Sequence, residues 1–325
     1  MISTRFKNVY INCYDAIVGL NEKNGNIKGK FKVIDDLYYH SKTFEQALIT
    51  MQKDVLCHLL NINNLTIKDV NLIIGGDLSN QLTCTSYSLS NMSASFLGVY
   101  SACASFIESL IIGSVFIEKR IINNAVLMTS SHNLVAERQF RYPVEYGSLK
   151  NENSTFTATA SIASFISREK GNIKVVASTI GEVKTLDVKD PNYIGAIMAP
   201  SCGDTIYQHL KNLKIDIDYY DVILTGDLGS VGVSILKEYL FEEYNIKANN
   251  VIDAGANLYK EIADINDGAS GPCCLPLYFF YNILNKKRYK KILLVGTGAL
   301  HSKTMVNQNI GIPSVSHAVS LEVIS

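Results

Sequence analysis

The chain has 325 residues, of which 47% are hydrophobic and 18% charged, a composition that excludes a disordered polymer and predicts a large buried core. Thirty basic residues balance thirty acidic ones, so no overall field attracts nucleic acid or an anionic membrane surface. The first residues are interrupted by Asn, Lys and Asp, and no run reaches the roughly 18 apolar residues of a spanning helix, so we predict neither a signal peptide nor a transmembrane helix.

The first half of the chain alternates predicted helices and strands. Apolar side chains recur at helical spacing over residues 44–61, which predicts an amphipathic helix on the outside. A short apolar strand over residues 70–79 runs into Gly-Asp-Leu, and a small-residue turn around Cys103 then leads into a helix that is apolar nearly all round. A strand over residues 123–131 and an alternating strand near Ser161, with the period of two expected when one face is buried, complete this half.

The second half repeats this order. A strand over residues 220–230 again ends in Gly-Asp-Leu, the turn GASGPCC precedes another apolar helix, and a strand over residues 290–298 and an alternating C-terminal segment follow. Helices that are apolar all round are buried on both sides, so we predict two sheets with a helical layer between them. We divide the chain into halves 1–170 and 171–325 that form one inseparable body, since no low-complexity linker separates them.

Three motifs resemble those of the thiolases and ketoacyl synthases. The run YSACASF around Cys103 resembles the nucleophile turn of ketoacyl synthases, DGASGPCC resembles the HPxGxSG region of thiolases, and GTGAL at residues 296–300 resembles the Gly-rich loop behind the nucleophile. The resemblance implies an α/β protein with the thiolase-like five-layered αβαβα fold, built from two duplicated halves. It also implies a homodimer paired through an edge strand of the first half, where a covered edge avoids unwanted pairing.

Longer runs are similar to a family of sporulation proteins within that superfamily. TSSHNLVAERQFRYPVEYG at residues 129–147, GGDLSNQ, IMAPSCGDTI and DVILTGDLGSVG carry the likeness, which covers nearly the entire chain. It implies a non-enzymatic protein without a cofactor that binds dipicolinic acid (pyridine-2,6-dicarboxylate), free or as its calcium chelate, for uptake into the developing spore. It further implies synthesis in the forespore cytoplasm and a peripheral location on the spore inner membrane, beside other membrane proteins of the same uptake system. The sequence departs from the family at Ala254-Gly255 and over residues 272–276, which leaves the second half's contribution to the pocket open.

Cys103 is a candidate nucleophile, because the start of a helix stabilises a thiolate. Acyl transfer also needs a general base and an oxyanion hole, which enzymes of this class take from a histidine and an asparagine or second cysteine in the later half. Here residues 265–267 read Ile-Asn-Asp, residues 225–227 contain no histidine, and the GTG loop lacks a cysteine. We therefore predict that Cys103 is a vestigial nucleophile lining a binding pocket; a thioester-forming acyltransferase and a merely buried thiol remain the alternatives.

A polar cluster follows the strand that ends at Ser131, and ligands collect at the carboxyl ends of strands in α/β sheets. Guanidinium groups grip carboxylates bidentately, so the cluster fits a small dianion. The alternative is that its arginines pair with Glu137, Glu145 or a second subunit. The predicted ligand-binding residues are Cys103, Ser131, His132, Asn133, Arg138 and Arg141.

The remaining acids and thiols have structural interpretations. Asp77 and Asp227, equivalent in the repeat, are predicted to cap the turn after each strand. No Asp-x-Asp loop of the EF-hand type is present, so calcium would arrive already chelated and we predict no protein metal site. Seven cysteines without a repeated CxxC pair predict reduced thiols, with Cys273 and Cys274 as packing residues. The sequence contains no long stretch in which basic and aromatic residues alternate, so we predict no nucleic-acid binding.

Overall fold

The computed structural model describes residues 1–140, 154–262 and 265–324. The strands are β1 (Ile2–Arg5), β2 (Tyr10–Val18), β3 (Lys32–Val33), β4 (Ile73–Asp77), β5 (Phe96–Gly98), β6 (Asn124–Ser131), β7 (Phe156–Thr157), β8 (Ala160–Ser167), β9 (Ile173–Ile180), β10 (Lys184–Thr185), β11 (Val222–Thr225), β12 (Val251–Asp253), β13 (Ala269–Ser270), β14 (Lys291–Ala299) and β15 (Pro313–Val323). The helices are α1 (Leu20–Asn24), α2 (Phe44–Ile62), α3 (Thr83–Leu89), α4 (Ser105–Glu118), α5 (Asn133–Phe140), α6 (Ile194–Leu213), α7 (Gly229–Tyr244), α8 (Ala254–Leu258), α9 (Cys274–Tyr278) and α10 (Lys303–Asn307).

The strand order is the same in the two halves. The first half is ordered β5-β4-β6-β8-β2 and the second β12-β11-β14-β15-β9. In each half the first three strands are parallel to one another. The fourth strand pairs antiparallel with the third, and the fifth pairs antiparallel with the fourth. The halves join where β2 pairs with β9, through Tyr10 with Lys174 and Ile11 with Ile173. The duplication predicted from the Gly-Asp-Leu repeat is confirmed, and the boundary at residue 170 falls between β8 and β9.

Three apolar layers account for the stacking. α2 packs Met51 and Val55 on the outer face of the first sheet, as its apolar spacing predicts. On the opposite side of the molecule, α6 and α7 cover the second sheet. Between the sheets, α4 and the helix that begins at α9 form the central core, where the rings of Phe106 and Phe280 meet edge to face with centroids 6.1 Å apart. The resulting order is αβαβα.

The closing strands differ from the prediction in one respect. Their alternating pattern predicts one buried face, but every residue of β8 and most of β15 are buried. Both sheets are covered on both sides, so the alternating Ser and Ala positions are small residues packed under a helix rather than polar residues facing water. Within residues 1–140, 154–262 and 265–324, no helix has both the length and the apolarity to cross a membrane.

Candidate ligand-binding site

Cys103 lies on a tight turn between β5 and α4. The turn is a single 3-10 segment, Ala102–Ala104, and Ala102 adopts a left-handed backbone with φ of 49°. The Gly-rich loop of β14 lies directly behind it: a Cβ on Gly298 would overlap the carbonyl oxygen of Ser101. The Cys103 turn therefore needs a glycine at position 298, because a larger residue there would displace the backbone of Ser101.

Gly298→Ala is expected to lower the free energy of unfolding by about 2 kcal/mol, because an extra carbon in a packed site forces the backbone to move. Gly171→Ala is the matched control, since its added Cβ meets the terminal side-chain amide of Asn12 at 3.0 Å and no backbone atom closer than 3.2 Å, against 2.2 Å at Gly298. Urea denaturation measures both variants. Equal stabilities for the two would contradict the packing described for the Cys103 turn.

A cavity of about 60 Å³ opens above Cys103. Ala136, Glu137 and Phe140 of α5 form one wall, and Ser270 and Gly271 form another. No lysine or arginine lines the cavity within the described part of the chain. The complete lining is Leu78, Ala102, Cys103, Ala136, Glu137, Phe140, Thr157, Pro191, Ile194, Ser270, Gly271, Ala299 and His301.

Asp227 lies buried beneath Cys103. Its carboxylate accepts hydrogen bonds from the Cys103 side chain, from Thr297 Oγ1 at 2.8 Å and from the Gly271 N–H at 3.1 Å. Burial raises the pKa of Asp227 to about 7 although these donors oppose the rise, and the nearby Asp253 carboxyl adds to it. Near neutral pH the Asp227 carboxyl, directly below the thiol, is therefore partly protonated.

The capping role predicted for the two equivalent aspartates is right for one and wrong for the other. Asp77 accepts the N–H groups of Ser79 and Thr85, at 2.6 and 2.7 Å, and caps its turn. Asp227 binds no N–H of its own turn; Asp253 accepts those of Leu228 and Gly229 instead, at 3.0 and 3.1 Å. Because Asp253 from the adjacent strand supplies the cap, Asp227 is released to face the thiol.

Of the predicted ligand residues in the described chain, Cys103 lines this cavity and the next three along β6 and α5 lie behind its wall. Ser131 Oγ donates to a backbone carbonyl oxygen at 2.7 Å. His132 Nε2 donates to the Leu37 carbonyl oxygen at 2.9 Å, its ring stacks on α2, and burial lowers its pKa. The Asn133 side chain donates to the Thr157 carbonyl oxygen at 3.2 Å. His132 therefore contacts Leu37 and α2 and is not among the described residues that line the Cys103 cavity.

The two predicted arginines are placed differently. Arg138 forms an ion pair with Glu45 at 2.8 Å, with both side chains about two-fifths exposed. An exposed pair of this kind contributes at most about 1 kcal/mol. Arg141 lies outside the described residues. Glu45 is a partner that the sequence did not indicate, because it lies on α2, far away in the chain.

Sequence reasoning missed two residues at the site besides Asp227. His301 follows the Gly-rich loop of β14 and lines the cavity, with its ring 5.9 Å from that of Phe140. Ser270 of β13 adds a hydroxyl-bearing residue to the same lining. The signal available for His301 was its place just after a strand end, where ligands collect.

The cysteines form no disulfide bonds with one another. All seven are free, as predicted. Cys273 and Cys274 are fully buried, and burial raises the pKa of both thiols, that of Cys273 to about 12. Their prediction as packing residues is confirmed. Among the described residues no group of three or more His, Cys, Asp or Glu is arranged to hold a metal.

A duplicated αβαβα fold with a cysteine on a tight turn before the central helix defines a thiolase-like protein. Solved structures agree: cerulenin-bound OleA of Xanthomonas campestris has a TM-score of 0.61 at 14% identity, covering 98% of this chain and 97% of its own. The 3-oxoacyl-(acyl carrier protein) synthase III, FabH, of Xanthomonas oryzae pv. oryzae has a TM-score of 0.59 at 13% identity, covering 98% of this chain and 99% of its own.

The family follows from two sequence comparisons. The profile of stage V sporulation protein AD matches residues 3–322. Stage V sporulation protein AD of Bacillus subtilis (strain 168) is 36% identical over 318 residues, covering 97% of this chain and 94% of that protein. The chain therefore belongs to the stage V sporulation protein AD family, as its long sequence runs indicated.

Proposed function

We propose that this sporulation protein binds dipicolinic acid, free or as its calcium chelate, over Cys103 and assists its uptake into the developing spore without catalysing a reaction. The observation that carries the proposal is the Asp227 carboxyl beneath Cys103, whose pKa of about 7 lets it hold a proton. A protonated Asp227 donates a hydrogen bond to the Cys103 sulfur, and the thiol in turn donates to an incoming carboxylate. No cofactor is needed for this role.

The charges around the cavity favour a partly neutralised ligand. No lysine or arginine is among the described residues that line the cavity, so two bare carboxylates would meet no positive side chain in that lining. A calcium chelate carries its own neutralising charge, because Ca²⁺ binds the carboxylate oxygens of the ligand itself. Calcium is therefore expected to strengthen binding.

We propose that a neighbouring cavity supplies room for the pyridine ring. The Cys103 cavity, at about 60 Å³, is smaller than the roughly 300–1,000 Å³ of ordinary ligand pockets. Phe140 and His301 line it and also line a neighbouring cavity of about 250 Å³, whose other wall includes Lys303. We propose that rotation of these two rings joins the cavities, so that one carboxylate binds over Cys103 and the other binds near Lys303.

Calorimetric titration with dipicolinate, with and without calcium, tests the proposal. Heat of binding is expected in both, with higher affinity when calcium is present. Benzene-1,3-dicarboxylate is the matched ligand, because it keeps both carboxylates and lacks the ring nitrogen that completes the chelate; its binding is expected not to respond to calcium. Absence of dipicolinate binding under both conditions would overturn the proposal.

Phe140→Ala is expected to raise the association rate of dipicolinate several-fold, because the partition between the two cavities opens without a ring rotation. Phe241→Ala, on the half-exposed surface of α7, is the matched control. Stopped-flow binding measures both. An association rate that Phe140→Ala leaves at the wild-type value would show that the ring does not control entry.

An acyltransferase acting through a Cys103 thioester is the second candidate, favoured by the hydrogen bond between the thiol and the Asp227 carboxylate. In that reaction Asp227 would take the thiol proton, Cys103 Sγ would bond to the acyl carbon, and the coenzyme A sulfur would leave and take up a proton. Incubation with acetyl-coenzyme A followed by intact mass measurement, with Cys103→Ala as control, separates the candidates. A stable acetyl adduct on Cys103 would exclude a purely binding role.

The assembly and location are proposed together. We infer a homodimer paired through β5, an edge of the sheet where Leu97 and the following Tyr100 are 36% and 42% exposed. We further propose a peripheral position on the spore inner membrane, held by other membrane proteins of the same uptake system. Sedimentation of the wild type and Leu97→Asp tests the first inference: a dimer that the charge leaves intact would contradict pairing at β5.

A further inference from the structure

A groove of about 950 Å³ lies across the open edge of β2, away from the Cys103 cavity. β9 pairs with this edge at Tyr10 and Ile11, and β3 pairs with it at Ile17 and Val18, so between these pairs no described strand covers it. The groove and the Cys103 cavity share no described lining residue. The groove is therefore a separate opening at the edge of the first sheet.

The walls of the groove come from both layers of helices that cover β2. Tyr14 and Asp15 are consecutive in the strand and so point to opposite faces of the sheet. On the inner face the Tyr14 ring stacks on that of Phe280, with centroids 4.1 Å apart. On the outer face Asp15 contacts His58 of α2, and Ile62 at the end of α2 adds apolar surface that is 53% exposed. The volume and these walls suit an organic ligand of ordinary size.

Three lysines line the groove from one short segment, at positions 28, 30 and 32. This segment is fixed to the central helix that begins at α9. The Lys28 N–H donates to the Tyr281 carbonyl oxygen at 2.8 Å, and a Cβ on Gly29 would meet the Tyr281 ring at 2.7 Å. The backbone that carries the lysines is thus held in place beside the groove.

Two of these lysines lack a counterion. Lys32 Nζ lies 3.4 Å from Asp54 Oδ2, whereas Lys28 and Lys30 form no ion pair within the described residues. Asp15 is the acid in the described lining; its side chain is 5% exposed and is hydrogen-bonded to the imidazole on α2. Three lysines and one aspartate leave the lining with a formal charge of +2, which favours an anionic ligand.

The charge of the groove selects the anion. A carboxylate carries one negative charge, whereas a phosphate monoester carries about 1.5 to 2 at neutral pH on a single group with three acceptor oxygens. One phosphate can therefore be shared by two ammonium groups, and lysine binds phosphate as a compact point charge. We propose that this groove binds the phosphate monoester of an organic molecule, free or as a lipid headgroup. The phosphate lies between Lys28 and Lys30, and the organic body lies over Tyr14 and Ile62.

Fluorescence titration with 1-naphthyl phosphate near pH 7.5 tests the site, because the chain contains no tryptophan whose emission would interfere. 1-Naphthyl sulfate is the matched ligand, since it keeps the ring and carries a single charge. The wild type is expected to bind the phosphate ester at least about fivefold more tightly than the sulfate ester.

The double variant Lys28→Gln/Lys30→Gln is expected to weaken binding of 1-naphthyl phosphate about tenfold and to remove the preference over the sulfate. Lys237→Gln/Lys247→Gln is the matched control: it changes two exposed lysines in and after α7, removes the same net charge and is expected to bind like the wild type. All four positions are exposed, so neither variant disturbs the core.

Co-sedimentation with phosphatidylcholine vesicles, with and without phosphatidic acid, distinguishes the two sources of the phosphate. Binding to phosphatidic acid that Lys28→Gln/Lys30→Gln removes assigns the groove to a lipid headgroup. Binding of 1-naphthyl phosphate without binding to vesicles assigns it to a soluble ester. Three results would overturn the inference: no binding of either form, equal affinity for the phosphate and sulfate esters, or binding that the double variant leaves unchanged.

Dipicolinate titration of Lys28→Gln/Lys30→Gln keeps this test separate from that of the proposed main function. The affinity for dipicolinate is expected to equal that of the wild type, because the groove and the Cys103 cavity have no described lining residue in common. Loss of 1-naphthyl phosphate binding alone therefore reports on the groove.

Discussion

Dipicolinate is expected to bind this protein more weakly as the pH rises above about 7, and Asp227→Asn is expected to remove that dependence. The pKa of Asp227 is about 7 in the free protein. A bound anion over Cys103 raises this pKa further, so above pH 7 binding takes up a proton and the affinity falls by up to about tenfold per pH unit. Calorimetry between pH 6 and pH 9, in buffers of different ionisation enthalpy, measures both the affinity and the proton uptake.

Two controls isolate the carboxyl. Asp218→Asn changes an exposed aspartate on the same half of the molecule and is expected to leave the pH dependence as in the wild type. His301→Gln, measured in parallel, separates any contribution of the imidazole at the cavity. An affinity profile that Asp227→Asn leaves unchanged would remove Asp227 from the account.

The free energy of unfolding, measured without ligand, also reports the protonation of the Asp227 carboxyl. The pKa of Asp227 is about 7 in the folded chain against an ordinary 3.8, so the fold favours the protonated form. The free energy of unfolding therefore falls as the pH rises from about 4 to 7, by on the order of 4 kcal/mol at most, since each pH unit is worth about 1.4 kcal/mol. Asp227→Asn is expected to remove this contribution in urea denaturation experiments, while Glu22, whose pKa burial also raises to about 7, keeps its own.

Asp253→Ala is expected to lower the free energy of unfolding by about 4 kcal/mol. The buried Asp253 carboxylate accepts from the N–H groups of Leu228, Gly229 and Ala256 and from the Thr225 hydroxyl, all between 2.7 and 3.1 Å. Burial raises the pKa of Asp253, which offsets part of this gain. Removing the carboxylate leaves several buried donors unpaired at about 1–3 kcal/mol each, and such losses are not additive.

Asp253→Asn separates hydrogen bonding from charge, because the amide keeps one acceptor oxygen; about half of the loss is expected. Asp218→Ala, on an exposed position, is the control and is expected to change stability by less than about 0.5 kcal/mol. The turn that Asp253 holds begins next to Asp227, so Asp253→Ala is also expected to weaken dipicolinate binding. A stability loss below about 1 kcal/mol would contradict the capping role.

The fold was predictable because apolar periodicity and the Gly-Asp-Leu repeat are local features of the chain. Met51 and Val55 of α2 and the apolar run of α4 lie where their spacing predicts. Burial of β8 on both faces was less predictable, because serine and alanine fit under a helix as well as they fit at a surface.

The site was predictable at Cys103 and less so around it. Residues 133–140 form a helix, and its periodicity directs Ala136, Glu137 and Phe140 toward the cavity while Arg138 pairs with Glu45. The order of polar residues in the sequence does not show which of them face the cavity and which face α2. The role of Asp227 depends on Asp253 taking over the cap from a neighbouring strand, which is a tertiary contact that the repeat conceals.

The most direct test of the central claim is a crystal structure of the protein soaked with dipicolinate and calcium. We expect one carboxylate over Cys103, the other near Lys303, and the ring of Phe140 rotated away from the partition. Dipicolinate bound elsewhere, with the Cys103 cavity and Phe140 unchanged, would contradict the account.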